Sequence, residues 1–382
     1  MINLLPLGLA VFLATLGYGV TFPLLAIRLE ATGVSGLLIG VNAAMPALGW
    51  IIGSALIPRL QIRQGISIVW LARGFLVIAA LSLAALRFAD GYGSMTALRF
   101  AFGGSMGLFL RSVEFWINGS AADEQRGRTL GLYSILFMVA IMLGAALQPA
   151  LGTSGWPAFA PPIALIAAAA LVLLVWRGVK PPHVDLAVPA SALSLVVAVP
   201  AAFLAVLAYG MFESIPVSLI EVYALKNGLG ETTAALTLSA AALGNILMQY
   251  PVGALSDRIG RLLPLLTCAL VVIASSLAMP YVMSDQSLFL ALVGVWGAAA
   301  GTVYSLALAM VGDHYDGARL VVANAAFGIV YAIGSLVGPL TNGAALDTYE
   351  THGVMFAAAA IFAALVALVG ASQAIRRPGV SQ

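Results

Sequence analysis

The chain is 382 residues long, 62% hydrophobic and only 8% charged, with a net charge of +2. Soluble domains carry about 25% charged residues, so this composition excludes a water-soluble globular protein and leaves a polytopic membrane protein. No nucleic-acid partner is expected at so small a net charge, and Cys268, the only cysteine, excludes an intrachain disulfide.

A helix needs about 20 apolar residues to cross the hydrocarbon core. The first such span covers 3–28; Met1 to Leu29 lacks a basic start and a small-residue cleavage site, so it reads as a span and not as a removed signal peptide. The next five cover 35–57, 66–88, 94–116, 129–151 and 159–177. Gly178 to Leu193 then breaks the pattern with Lys180-Pro-Pro-His183, Asp185 and Pro189, a polar, Pro-rich linker. Six more spans follow at 194–223, 232–255, 262–283, 286–311, 320–346 and 353–375. The expected organisation is therefore a six-helix half over 1–177, a linker over 178–193 and a second six-helix half over 194–382.

Lys and Arg set the orientation. With the N-terminus inside, eleven fall in cytoplasmic segments (Arg59, Arg63, Arg126, Arg128, Arg177, Lys180, Arg258, Arg261, Arg319, Arg376 and Arg377). Only three, Arg28, Arg87 and Lys226, fall outside, so both termini and the linker are expected in the cytoplasm.

The halves echo each other. Tyr18-Gly19 with Pro23 returns as Tyr209-Gly210 with Pro216, Ala47-Leu48-Gly49 as Ala242-Leu243-Gly244, and Gly144 with Pro149 as Gly334 with Pro339. The offsets are 191, 195 and 190 residues. Three echoes in one order at one spacing argue for duplicated halves about an axis along the membrane normal, an arrangement that places a substrate site near the midplane.

The densest motif is Gln249-Tyr-Pro251-Val-Gly253-Ala-Leu-Ser-Asp257-Arg258-Ile-Gly260-Arg261, where an apolar run ends in G-x-x-x-D-R-x-G-R. Gly253 is suited to a close helix approach, and Asp257 to accepting charge-assisted hydrogen bonds at the water face. This spacing resembles the cytoplasmic loop motif of the major facilitator superfamily of transporters. The first-half copy, Ser54-x-x-x-Pro58-Arg59-Leu-Gln61-Ile-Arg63, lacks both the Asp and the Gly. Arg99-x-x-x-Gly103 with Gly104 and Gly107 resembles the R-x-x-x-G pattern of that superfamily, whose Arg is linked to proton coupling; an Arg snorkelling to the outer interface fits equally. Gly144-x-x-x-Gln148-Pro149-x-x-Gly152 resembles the pattern associated with antiporters, with Gln148 in place of a Gly; a packing face with a Pro kink fits as well. Glu114-Phe-Trp116-Ile-Asn118, Arg126-Gly-Arg128-Thr-Leu-Gly-Leu-Tyr133 and the Gln249 segment together resemble the YcaD-like group of bacterial facilitators. The resemblance implies a twelve-helix, all-α fold in two pseudo-symmetric halves, alternating access, and a cavity lined by helices 1, 4, 7 and 10. It also implies a multi-pass protein of the bacterial inner membrane that works as a monomer without a cofactor.

Charges within the bilayer are candidate functional groups, because each is costly there unless paired or hydrated. Glu213, in the seventh span on the face of Tyr209 and Pro216, is the leading candidate for proton coupling, with Arg99 as its counter-charge; a permanently paired structural carboxylate is the alternative. Arg73 reads as structural. Arg111 and Glu114, three residues apart, can pair on one helix face and read, with Gly253, Asp257, Arg258 and Arg261, as a cytoplasmic gate. Cavity candidates are Tyr18, Thr21, Phe22, Arg99, Tyr209, Glu213, Trp296 and Tyr304, with Ser305 beside them. Asn42, Trp50, Asn245 and Gln249 suit either the cavity or interhelical hydrogen bonding. His183, His314 and His352 fall in separate loops, so no metal site is expected, and no G-x-x-x-x-G-K-S/T loop provides for ATP. Loops this short hold no catalytic site, so an enzyme is not expected. The expected activity is proton-coupled export of a small amphipathic or hydrophobic organic molecule, with protons and the bilayer as the other partners. A uniporter or proton-coupled importer comes second; outside that class stands a receptor or scaffold that transports nothing.

Overall fold

A computed structural model describes residues 5–64, 67–120, 123–176, 196, 198–315 and 317–376. The linker Gly178 to Leu193 lies outside these residues, as do the side chains of Ser54, Pro58, Arg59, Gln61, Arg63, Arg126 and Arg128. The first six helices are α1 (Leu5–Glu30), α2 (Gly36–Gln64), α3 (Ile68–Leu86), α4 (Tyr92–Ser120), α5 (Asp123–Leu151) and α6 (Gly155–Val175). The seventh, α7 (Pro200–Lys226), is followed by α8 (Glu231–Ile259), α9 (Leu262–Ala278), α10 (Gln286–His314), α11 (Gly317–Thr348) and α12 (Gly353–Arg376). Among the described residues eight helices are long and apolar enough to span a bilayer on their own. The remaining four carry more polar residues; α4, for example, holds Arg99, Arg111 and Glu114.

The apolar runs locate the helices, but the helices outlast the runs. α8 continues to Ile259 and α10 to His314, a turn beyond their expected inner ends, because intrahelical hydrogen bonding persists in the headgroup region. Gly260 stops α8: its φ of +88° is open to glycine and strained for other residues. The larger departure is in α7. Its helical stretches Pro200–Phe212 and Ile220–Lys226 are joined by a π-helical turn at Ile215–Leu219, where the sequence suggested one unbroken helix. Pro216 has no N–H for the regular ladder, and the chain widens around it.

The described residues group into two units. One takes those within 1–34 and 41–187, the other those within 35–40 and 188–382. The assignment of Ser35–Gly40 to the second unit has a visible cause. The backbone N–H groups of Gly36 and Leu37, orphaned at the start of α2, donate to the Asp347 carboxylate at 2.6 and 2.8 Å. Gly36 lies so near Gly343 that a Cβ there would come within 2.7 Å of its carbonyl oxygen.

Each unit is built on the same close contacts. In the first, Gly19 of α1 meets α5, where an added Cβ would lie 2.5 Å from the Ile141 carbonyl oxygen, and Gly144 returns the contact. In the second, a Cβ on Gly210 of α7 would lie 2.5 Å from the Tyr331 carbonyl oxygen of α11, and one on Gly334 would lie 2.6 Å from that of Leu207. Gly103 of α4 against Pro46 of α2 is matched by Gly297 of α10 against Ala241 of α8, both at 2.5 Å. Arg73, expected to be structural, donates to the Leu173 carbonyl at 3.0 Å and so ties α3 to the end of α6.

Candidate functional site

Glu213 stands where the regular part of α7 ends and the π turn begins. Gly338 of α11 brings that helix onto the backbone of Met211, where a side chain would collide. From the next turn of α11, the buried Asn342 donates to the Met211 carbonyl at 2.8 Å and to Ser214 Oγ at 2.9 Å. A break in a helix inside the bilayer leaves backbone groups needing partners, and Asn342 supplies one. The break is thereby held open beside the carboxyl group.

Glu213 Oε2 accepts a hydrogen bond from the Tyr331 hydroxyl of α11. Tyr209 lies one turn earlier on α7, with its ring centroid 6.4 Å from that of Tyr331 and 5.1 Å from that of Tyr304 of α10. Tyr304 and Tyr331 are 5.9 Å apart, and Phe327 closes on Tyr304 at 5.5 Å. Glu213 and the three tyrosines are each only partly covered, although the helices around them are closely packed. Tyr209, Glu213 and Tyr304, picked out separately in the sequence, thus meet in one cluster. Trp296 stands apart from it: fully buried, it donates to Ser276 at 2.9 Å and packs on Phe212 at 4.4 Å, behind the cluster. Ser305 accepts from Gln249 at 3.0 Å, tying α8 to α10, and Asn42 donates to Thr96 at 3.0 Å, tying α2 to α4.

In the first unit Tyr18 packs against Phe22 at 4.5 Å and Phe102 at 5.5 Å. Thr21 is buried and donates to the Tyr18 carbonyl at 2.6 Å, and Arg99 is buried within α4. Counted from the paired glycines of each helix (Gly210 and Gly19, Gly334 and Gly144, Gly297 and Gly103), the counterparts of Glu213, Tyr331 and Tyr304 are Phe22, Ile141 and Leu110. The repeat gives both units the same scaffold and one tyrosine each, Tyr18 and Tyr209, and puts Glu213, Tyr304 and Tyr331 in the second alone.

At the expected inner ends, Arg111 and Glu114 pair at 2.8 Å, with the Arg111 guanidinium 4.4 Å over the Trp50 ring and the Tyr133 hydroxyl 3.4 Å from Glu114. In the second unit Asp257 pairs with Arg261, four residues on. Arg258, one residue on, points about 100° away from Asp257 on the helix, whereas a side chain four residues on stacks with it. Arg261 also meets Asp313 of α10 at 2.9 Å and donates to Ser256 at 2.6 Å, and Asp313 raises its already high pKa by accepting that hydrogen bond. Gly253 departs from the expected close approach, since among the described residues a Cβ there would meet nothing within 4 Å. Close approach in α8 occurs deeper, at Gly244 against Gly294.

Tyr331, Asn342, Asp313 and Asp347 were not legible as site residues. Tyr331 carried one usable signal: it precedes Gly334 by three residues, as Ile141 precedes Gly144. Among the described residues no group of three or more His, Cys, Asp or Glu side chains is placed to hold a metal ion.

Known proteins share this architecture. The nucleoside transporter NupG superposes with a TM-score of 0.74 at 13% identity, covering 99% of this chain and all (100%) of that one. A D-xylose-proton symporter gives 0.73 at 15%, covering 98% and 97%. In sequence, the uncharacterized MFS-type transporter YfkF of Bacillus subtilis (strain 168) is 26% identical over 371 residues, 92% of this chain and 90% of its own length. The uncharacterized MFS-type transporter YcaD of Escherichia coli O7:K1 (strain IAI39 / ExPEC) is 27% identical over 330 residues, covering 86% and 84%. The profile of the Major Facilitator Superfamily matches residues 7–201 and 201–379. With its helices, its duplicated glycine contacts and this match over nearly its whole length, the chain belongs to the Major Facilitator Superfamily of transporters.

Proposed function

We propose that this transporter moves a small organic molecule outward against protons by alternating access of its two halves, with Glu213 as the coupling group. The observation that carries the reading is a carboxyl group at a helix break inside the bilayer, held by one neutral donor, Tyr331. Such a group is best neutral when dry and best charged when wet or facing a cation. A conformational equilibrium shifts only through differential affinity for its states, so alternation between dry and wet surroundings couples proton binding to the change of state. Arg99 of α4 is the second coupling residue in this reading, and Tyr18, Thr21 and Phe22 are the cavity residues contributed by the first half. Arg111–Glu114 and Asp257–Arg261 form the cytoplasmic gate; Asp257→Asn is expected to shift the population toward the inward-open state.

A thermal-shift screen of metabolites and drugs on the purified protein supplies a ligand, because binding to the folded state raises the melting temperature. In proteoliposomes, Glu213→Gln is expected to keep its fold and lose at least tenfold of the accumulation driven by a pH gradient, while Glu213→Asp retains part of it. Accumulation by Glu213→Gln equal to wild type would make the carboxyl group structural.

A further inference from the structure

The tyrosines around Glu213 are more numerous than a carboxyl group needs for one hydrogen bond. Tyr331 alone donates to it. Tyr209 and Tyr304 instead offer ring surface, and with Tyr331 the three centroids lie 5.1 to 6.4 Å from one another. Phe327, 5.5 Å from Tyr304, extends that wall. Packing alone does not call for Glu213, Tyr304 and Tyr331, since the first half builds the same helix contacts with Phe22, Leu110 and Ile141 and keeps only Tyr18, in the place of Tyr209.

The charge of the surroundings is one-sided. The titratable groups around Glu213 are Tyr331 of α11, which donates to it, and Tyr209 one turn earlier on its own helix, with Tyr304 of α10 packed on both tyrosines; the buried Glu221 lies eight residues further along α7. α12, which also packs on α7, has no titratable residue from Gly353 to Gln373, and α8, which packs on the π turn and the end of α7, carries its own in its first residue (Glu231) and its last ten (Tyr250, Asp257 and Arg258). The charged residues of α10 and α11 (Asp313, Arg319 and Asp347) sit near the ends of those helices. Aromatic faces are electronegative, and rings grouped around a carboxylate are suited to a positively charged nitrogen with apolar substituents. An anion would meet the repulsion of the carboxylate, with only hydroxyl donors to offset it.

We propose that the Glu213, Tyr209, Tyr304 and Tyr331 cluster is a binding site for an organic cation, which rests against the partly exposed tyrosine rings and takes the place of the proton on Glu213. This rests on the transport reading of the same site and names its substrate class. The exchange balances: the protonated carboxyl group releases its proton to water as the cation arrives, and the carboxylate and the cation remain paired.

The test is equilibrium binding to the full-length protein in detergent, with choline, benzyltrimethylammonium and tetraphenylphosphonium as probes and 3,3-dimethylbutan-1-ol as the neutral counterpart of choline. Proton release is followed with a pH dye in weakly buffered solution. At least one cation is expected to bind saturably and release up to one proton per molecule bound, with affinity rising up to tenfold per pH unit over the range where the proton is displaced. Tyr304→Ala should weaken that cation at least fivefold, and Glu213→Gln should abolish proton release while keeping the wild-type melting profile. The proposal is overturned if all three cations fail to bind, if the alcohol binds as well as choline, or if Glu213→Gln releases protons like wild type. Cation binding without pH-driven accumulation in proteoliposomes would support the site and sink the coupling reading; pH-driven accumulation of a non-cationic ligand, with no cation bound, would do the reverse.

Discussion

A single amide holds the break in α7. Asn342 gives its two N–H groups to the Met211 carbonyl and the Ser214 hydroxyl, from a fully buried position. Asn342→Leu would leave that carbonyl without its side-chain donor, and a buried group left unsatisfied costs about 1–3 kcal/mol. The expected result is a lower melting temperature in detergent together with impaired transport; a melting temperature equal to wild type would show that the break does not need this side chain. Arg261 is the corresponding hub at the expected inner end of the second unit. Because it keeps Asp313 and Ser256 when Asp257 is changed, Asp257→Asn is expected to alter stability by less than about 1 kcal/mol, as for an exposed ion pair. Arg261→Ala loses every one of these links and should be the more damaging change to transport. Equal transport by the two variants would remove Arg261 from the gate.

At the scale of the helix, glycine separates contacts that matter from those that only match a motif. Gly334→Ala would set a Cβ 2.6 Å from the Leu207 carbonyl oxygen, where backbone faces backbone and neither can rotate away. Overpacking of this kind costs about 1–3 kcal/mol. Gly253→Ala meets nothing within 4 Å, so the residue with the higher helix propensity should leave stability unchanged or raise it by up to about 1 kcal/mol. Thermal melts of the two variants side by side check this contrast, and a destabilised Gly253→Ala would restore the close-approach reading of that position. Ala is the informative substitution because it adds one methyl group and little else.

For the whole molecule, the proposed orientation rests on the bias of eleven inner to three outer basic residues. With Cys268 replaced, a cysteine at Thr32, in the exposed turn between α1 and α2, is expected to react with a membrane-impermeant thiol reagent added to intact cells. Cysteines placed between Gly178 and Leu193 are expected to stay unreacted until the membrane is opened. The opposite pattern would invert the topology.

What the sequence determined by itself is what hydrophobicity and spacing can carry. A segment long and apolar enough to cross the bilayer has no alternative to helix, because its backbone groups find no water there. Hence twelve helices, the duplicated halves and the superfamily were legible from runs of apolar residues, an offset near 191 and one loop motif. Glu213 stood out as a candidate too, since a carboxyl group within such a run is costly wherever it points. The tertiary structure alone decided what surrounds it. Tyr331 and Asn342 lie 118 and 129 residues beyond Glu213, and only the packing of Gly210 on Gly334 and of Gly338 on Met211 brings α11 to the break in α7. Trp296 had the chemistry of a cavity residue and was folded into the interior, because its indole N–H found Ser276 there. Composition shows which groups are expensive in a membrane; the partners that offset the expense come from helices distant in sequence, and side-chain spacing along one helix cannot name them.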